Sequence, residues 1–174
     1  MHLSEYSGAF SGTSLRAALF VLAAALAAPA SGLAQAGPED VALTLSRGPD
    51  GATMEITRAQ LEALPDVTIV TETAFSDGPE AYRGPLARDV LDRLALMDFA
   101  SLRFTAANGY YVEIPTEDLR RYDVILAMEA GGRPLARRDR GPLWLIYPIS
   151  DHADLRSPIY GSRLIWQVER VEPS

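Results

Sequence analysis

Asn108-Gly109-Tyr110-Tyr111-Val112-Glu113-Ile114-Pro115 carries an Asn-Gly pair at the head of a β-branched and aromatic run. Asn-Gly is a strong short-range hairpin signal, because a tight turn needs backbone that these residues tolerate and most others resist. Leu102–Ala106 and Tyr110–Ile114 therefore read as two antiparallel strands joined at Asn108-Gly109. Beyond Pro115, Thr116 with Glu117 and Asp118 reads as the cap of one more helical turn, since negative charge is favoured at a helix start.

Working outward, strand signals dominate. On the N-terminal side Val41–Ser46 alternates apolar and polar residues, with Val41, Leu43 and Leu45 on one face. Pro49-Asp50-Gly51 is a turn. Thr57 reads as the cap of a short helix that Pro65 stops, with Leu61 and Leu64 as its apolar stripe. Asp66–Phe75 is rich in Val, Thr and Ile and reads as a strand, Ser76–Pro79 as a turn, and Glu80–Arg83 as a short paired strand. Gly84-Pro85 opens a helix in which Leu86, Val90, Leu91 and Leu94 share a face. On the C-terminal side Asp123–Glu129 reads as a buried strand, Gly131-Gly132 as a turn, and Ala136–Gly141 as a charged loop. Leu143–Tyr147 is an apolar strand ended by Pro148. Ser150–Gly161 is a polar loop, and Leu164–Val171 a closing strand. The class expected is α+β, with mixed β-sheets and short helices.

The first residues read differently. Arg16 precedes an unbroken apolar run, Ala17–Ala28, followed by Pro29, Ser31, Gly32 and the small-residue site Ala34-Gln35-Ala36. This is the order of a secretory signal peptide, expected to span residues 1–36 and to be cleaved. The run is far short of the roughly 20 residues of a membrane-spanning helix, so no membrane span is expected after cleavage. Residues 37–174 remain as one domain of roughly 140 residues, large enough for a real core. The expected location is the periplasm or outside the cell. A single Arg stands before the run, without the twin-arginine pair of the folded-export route.

Composition excludes several chemistries. The net charge is −7, which opposes binding to nucleic acid or an anionic membrane. There is no cysteine, so disulfides, thiolate zinc sites, iron–sulfur clusters and c-type haem are excluded, and no metal site is expected. Ser150-Asp151-His152 holds the residue types of a hydrolase triad, but adjacent residues cannot converge as a triad must. No catalytic residue is expected. Arg133, Arg137, Arg138 and Arg140 form the densest positive patch of an acidic chain, and Arg suits bidentate contact with phosphate or carboxylate. That patch lies beside the strand carrying Trp144 and Tyr147.

The second half also resembles a known family. The Asn108–Pro115 hairpin, Ile125-Leu126-Ala127, Gly132-Arg133-Pro134-Leu135, Arg140-Gly141-Pro142-Leu143-Trp144-Leu145-Ile146-Tyr147-Pro148 and Ile165-Trp166-Gln167-Val168 follow the order of motifs in the sulfite-oxidase-type, or oxidoreductase molybdopterin-binding, domain. Gly84-Pro85-Leu86 with the helix after it also fits. The resemblance implies a sulfite-oxidase-like fold from about Leu61 to Val171 and makes molybdopterin the cofactor to consider. It also implies a molybdenum held by the cofactor dithiolene and a protein Cys thiolate, and this chain has no Cys. Trp144 stands where the family's strand has Arg, and Ile165 where its late loop has a basic residue. Molybdenum enzymes of this kind cross the membrane folded, by the twin-arginine route, whereas the lone Arg16 implies export unfolded.

The expectation is therefore an exported domain of this fold without a redox-active molybdenum centre and without bound cofactor. It would serve as a ligand- or partner-binding accessory module for a membrane-bound sensor or redox protein. Its pocket is expected to involve Asn108, Tyr110, Arg138, Arg140 and Trp144. The alternative is an oxidoreductase that binds molybdopterin without a Cys ligand.

Overall fold

The computed structural model describes residues 39–174. The expected signal segment and its cleavage site, with the lone Arg16, lie outside the described residues.

In chain order the elements are β1 (Val41–Ser46), β2 (Thr53–Thr57), α1 (Arg58–Glu62), β3 (Asp66–Thr71), β4 (Glu80–Pro85), α2 (Ala87–Leu91), β5 (Ser101–Ala106), β6 (Tyr111–Pro115), α3 (Thr116–Arg121), β7 (Ile125–Ala127), β8 (Glu129–Ala130), β9 (Arg133–Pro134), β10 (Trp144–Ile146), α4 (Pro158–Ser162) and β11 (Val168–Pro173). The strands form a five-stranded sheet in the order β2-β1-β11-β5-β6, a four-stranded sheet β3-β4-β8-β9, and the pair β10-β7. In the first sheet β1 runs parallel to β11 and antiparallel to β2, so the sheet is mixed. The helices are one to two turns long. Among the described residues no helix is long and apolar enough to cross a membrane.

The central hairpin forms as the Asn-Gly pair predicts. Strand β5 pairs antiparallel with β6, Leu102 facing Ile114 and Phe104 facing Val112. Only Gly109 takes positive φ, at 82°, and its N–H bonds the Ala106 carbonyl. The turn is thus of type I with one left-handed glycine, rather than the two-residue mirror turn most typical of Asn-Gly. The Asn108 side chain accepts from the Tyr110 N–H at 3.0 Å, fixing the turn from outside. Leu102, Phe104 and Ile114 point inward and are buried.

Three further sequence readings hold with a clear cause. Thr57 caps α1 through a capping box, its hydroxyl accepting from the Gln60 N–H while the Gln60 side chain accepts from the Thr57 N–H. Leu61 is the buried anchor of that helix. The Val90-Leu91 pair of α2 is buried, as its spacing predicts. Gly84 is where the second sheet meets β7: a Cβ there would fall 2.1 Å from the Leu126 carbonyl oxygen.

Several readings need correction. Val41 is exposed, because the β1–β2 register shifts between Val41 and Leu43 and turns it off the buried face. Thr116 caps nothing; Pro115 is the N-cap of α3, and the Thr116 hydroxyl donates to the Phe99 carbonyl at 2.7 Å. Residues 72–75 are not strand, since β3 ends at Thr71 where Ser150 takes over its hydrogen bonds. The expected loop over 150–161 contains a 3-10 turn, Ala153–Arg156, and the start of α4. The closing strand begins only at Val168, and Leu164 and Ile165 before it are core residues.

Candidate functional site

Four loops converge at one end of the sheets, and each brings a distinct residue type. The turn after β3 carries Phe75. The β5–β6 hairpin carries Asn108 and Tyr110. The segment from β9 to β10 carries Arg138 and Arg140. The segment after α4 carries Leu164, Ile165 and Trp166.

These side chains border two neighbouring clefts. One, of about 460 Å³, is lined by Glu80, Arg133, Arg138, Asp139, Arg140 and Trp144, with backbone and small residues of 130–136 between them. The other, of about 340 Å³, is lined by Phe75, Asn108, Tyr110, Leu164, Ile165 and Trp166 and the small residues around them. The first is polar and the second largely apolar. The five residues expected at one pocket therefore divide: Asn108 and Tyr110 border the apolar cleft, while Arg138, Arg140 and Trp144 border the polar one.

The wall between the clefts is an aromatic cluster. Phe75 meets Trp166 edge-on with centroids 5.0 Å apart, and Trp144 lies 6.2 Å from Phe75 and 6.4 Å from Trp166. The Arg140 guanidinium sits over all three rings, 5.3 Å from Phe75, 5.1 Å from Trp144 and 5.7 Å from Trp166. A cation over ring faces gains from their negative quadrupole. Phe75 and Trp166 were not singled out as ligand residues. In the sequence Phe75 only ends an apparent strand and Trp166 only belongs to the closing one; the structure leaves Phe75 39 % exposed.

The segment that holds Arg140 is fixed from both sides. Arg137–Asp139 forms a 3-10 turn, and the Asp139 and Gly141 N–H groups both donate to the Ala136 carbonyl at 2.8 Å. Arg140 then takes the left-handed conformation, φ 70°. Its carbonyl accepts from the Gln167 N–H at 3.2 Å, and the Gln167 side chain donates to the Arg137 carbonyl at 2.7 Å. Gly141 is required here, because a Cβ would fall 2.0 Å from the Leu135 carbonyl oxygen.

The charges of the polar cleft are unevenly committed. Arg138 is exposed and pairs with Asp139 at 3.4 Å. Glu80 accepts from the Tyr82 hydroxyl at 3.0 Å, and burial pushes the Tyr82 phenol above its ordinary range. Among the described residues the side chains of Arg133 and Arg140 have no hydrogen-bond or ion-pair partner. Trp144 is 2 % exposed and its indole N–H donates to the Leu164 carbonyl at 3.2 Å, so it is core as well as cleft wall.

Other candidates prove structural. Ser150 is tied to the end of β3, where its hydroxyl accepts from the Glu72 N–H at 3.0 Å. The His152 ring packs edge-on against Tyr122 at 5.0 Å. Asp118 lies in the first turn of α3, as expected, and is also a buried carboxylate that accepts from the Tyr147 hydroxyl and from Arg163. Burial, reinforced by that carboxylate, pushes the Tyr147 phenol well above its ordinary range. The sequence has no cysteine, and among the described residues no group of three or more His, Asp or Glu could hold a metal ion. A molybdenum centre with a protein thiolate ligand does not fit these residues.

No curated protein matches the sequence. Among solved structures, the sulfane dehydrogenase SoxCD from Paracoccus pantotrophus is similar, with TM-score 0.57 and 18 % identity. The similarity covers 82 % of this chain and 40 % of that one, so the present chain spans well under half of its length. At that identity the likeness concerns the fold alone. A profile of the oxidoreductase molybdopterin binding domain matches residues 34–151, more than half of the sequence. The chain belongs to the oxidoreductase molybdopterin binding domain family.

Proposed function

We propose that this domain works as a ligand- or partner-binding accessory module rather than as a molybdenum oxidoreductase. The observation that carries the reading is chemical. The family's enzymes hold their metal through a Cys thiolate, and the stretch that matches the family contains no cysteine at all. Thiolate ligation has no substitute among the described residues, where no metal-holding cluster occurs. What the loop end of the fold retains is suited to recognition. It has two adjoining clefts, one polar with uncommitted Arg donors and one apolar with exposed aromatic rings.

The leader supports the same reading. Arg16, the apolar run and Ala34-Gln35-Ala36 fit export to the periplasm or beyond through the unfolded route, which a chain preloaded with cofactor does not take. A membrane-bound sensor or redox protein is the partner class proposed, because an exported module without its own redox centre acts through another protein.

The test is the cofactor itself. The protein is produced from its full sequence in cells that make molybdopterin, purified, denatured and oxidised, and pterin fluorescence is measured. The reading expects background fluorescence. A near-stoichiometric pterin signal overturns it and establishes the alternative, an oxidoreductase that binds molybdopterin without a Cys ligand.

A further inference from the structure

Arg140 occupies a backbone position that favours glycine. Its φ of 70° closes a 3-10 turn in the left-handed region, which costs a non-glycine residue of order 1 kcal/mol or more. Glycine would remove that cost. The neighbouring position is glycine, so the loop does use glycine where sterics demand it. Ala95 and Gln167 also take positive φ, so the conformation alone assigns no role, and it is the surroundings of the Arg140 side chain that point to one.

The side chain is half-buried and placed by aromatic contacts. Three rings surround the guanidinium. Its N–H donors lie in the one plane of the guanidinium, and among the described residues none of them finds an acceptor. A guanidinium offers five N–H donors in a rigid fork matched to the two oxygens of a carboxylate or phosphate. Held in advance, it loses little conformational freedom when it binds. On one side of it lies the polar cleft, to which Arg133 adds a second uncommitted cation. On the other lies the apolar cleft, whose rim is Phe75, 39 % exposed, and Tyr110, 54 % exposed. The same rings that hold Arg140 continue into that cleft as its wall.

We propose that Arg140 is the anion receptor of a bipartite site. It binds a small molecule whose carboxylate or phosphate group meets the guanidinium fork in the polar cleft. The aromatic body of that molecule lies against Phe75 and Trp166 in the apolar one. The inference rests on the binding-module reading above and names the ligand class of the same clefts: an aromatic carboxylate or aryl phosphate.

The protein carries its own probe. Trp144 and Trp166 are its only two tryptophans, and both touch the Arg140 guanidinium. Intrinsic tryptophan emission therefore reports on this wall and nothing else. Pterin-free protein of full sequence is titrated with benzoate, phenyl phosphate, inorganic phosphate and benzyl alcohol. At least one of the two aryl anions is expected to change the emission saturably, and which of them binds more tightly tells carboxylate from phosphate. Inorganic phosphate and benzyl alcohol, each with half of the chemistry, are expected to bind more weakly. Arg140→Gly, which suits the backbone, is expected to fold with an unlowered melting temperature and to lose at least about tenfold in affinity, the value of a charge-assisted hydrogen bond or more. Arg140→Lys keeps the charge without the fork and is expected to fall between. The inference is overturned if neither aryl anion binds, or if whichever variant folds binds as tightly as the native protein. A protein that carries stoichiometric pterin overturns the proposed function instead, before any titration.

Discussion

At the residue scale the most confined positions are Gly84 and Gly141. Each faces a backbone carbonyl, of Leu126 and Leu135 respectively, where a Cβ has no room. Backbone cannot move aside as a side-chain end can, so Gly141→Ala is expected to cost about 2 kcal/mol or more in a urea unfolding curve. It should also disturb the aromatic wall, since it adjoins Arg140. Asp118 and Arg163 form the other sensitive pair, nearly buried and completed by the Tyr147 hydroxyl. Removing one partner leaves the other charged and unpaired, so Arg163→Leu is expected to cost about 3 kcal/mol by the same measurement. A loss within the scatter of surface substitutions would mean that the pair is solvated. Neither position announced itself in sequence. The Gly84 constraint comes from Leu126, far off in sequence, that of Gly141 from the path of the loop after Leu135, and Asp118 looked like an ordinary acidic residue of a helix start.

At the element scale the sequence was legible wherever structure is local. The Asn108-Gly109 hairpin, the capping box at Thr57 and the buried pair Val90-Leu91 depend on neighbours within a few residues. The cap is open to a simple check: Thr57→Ala is expected to lose about 1 kcal/mol, seen as a lower melting temperature. An unchanged melting temperature would mean that α1 is held by Leu61 alone. Legibility failed where tertiary contacts decide. Strand β2 is the exception, since Thr53–Thr57 alternates polar and apolar residues with Met54 and Ile56 turned inward, a pattern legible in the sequence itself. Helix α4 is five residues containing Gly161 and Ser162, too short for periodicity to register. Strand β11 begins late because Trp144 bridges to Trp166 and the chain between Leu164 and Gln167 serves the core and the clefts. The site itself was half legible. Arg140 and Trp144 stood out by charge and apolarity. Phe75 and Trp166, which join the two clefts into one wall, lie far off in sequence on either side and gave no common signal.

At the scale of the whole molecule, tyrosines are expected to set the alkaline limit of stability. A hydrogen bond to Asp154, with burial second, pushes the Tyr122 phenol up to about 12. Burial pushes Tyr147 well above the ordinary 10.0 and raises Tyr82 too. The folded state thus keeps these protons over a range in which the unfolded chain has lost them. The contribution of these tyrosines to stability is expected to be flat below about pH 10 and to fall above it. At the acid end the hydrogen bond from Tyr122 is the main cause that holds Asp154 below its ordinary 3.8. Its contribution is present above that pH and lost as pH falls below it. Tyr122→Phe is expected to soften both limbs, and a pH–stability profile identical to the native one would contradict this assignment.

The fold and the family set the largest question at the same scale. This chain has the architecture of a molybdopterin-binding fold but no cysteine, the residue through which the family resemblance implies a metal is held. The measurement that tests this most directly is the molybdenum content, by mass spectrometry, of the purified protein produced from its full sequence in molybdate-supplied cells. The account predicts molybdenum at background relative to protein. A stoichiometry approaching one metal per chain would contradict it.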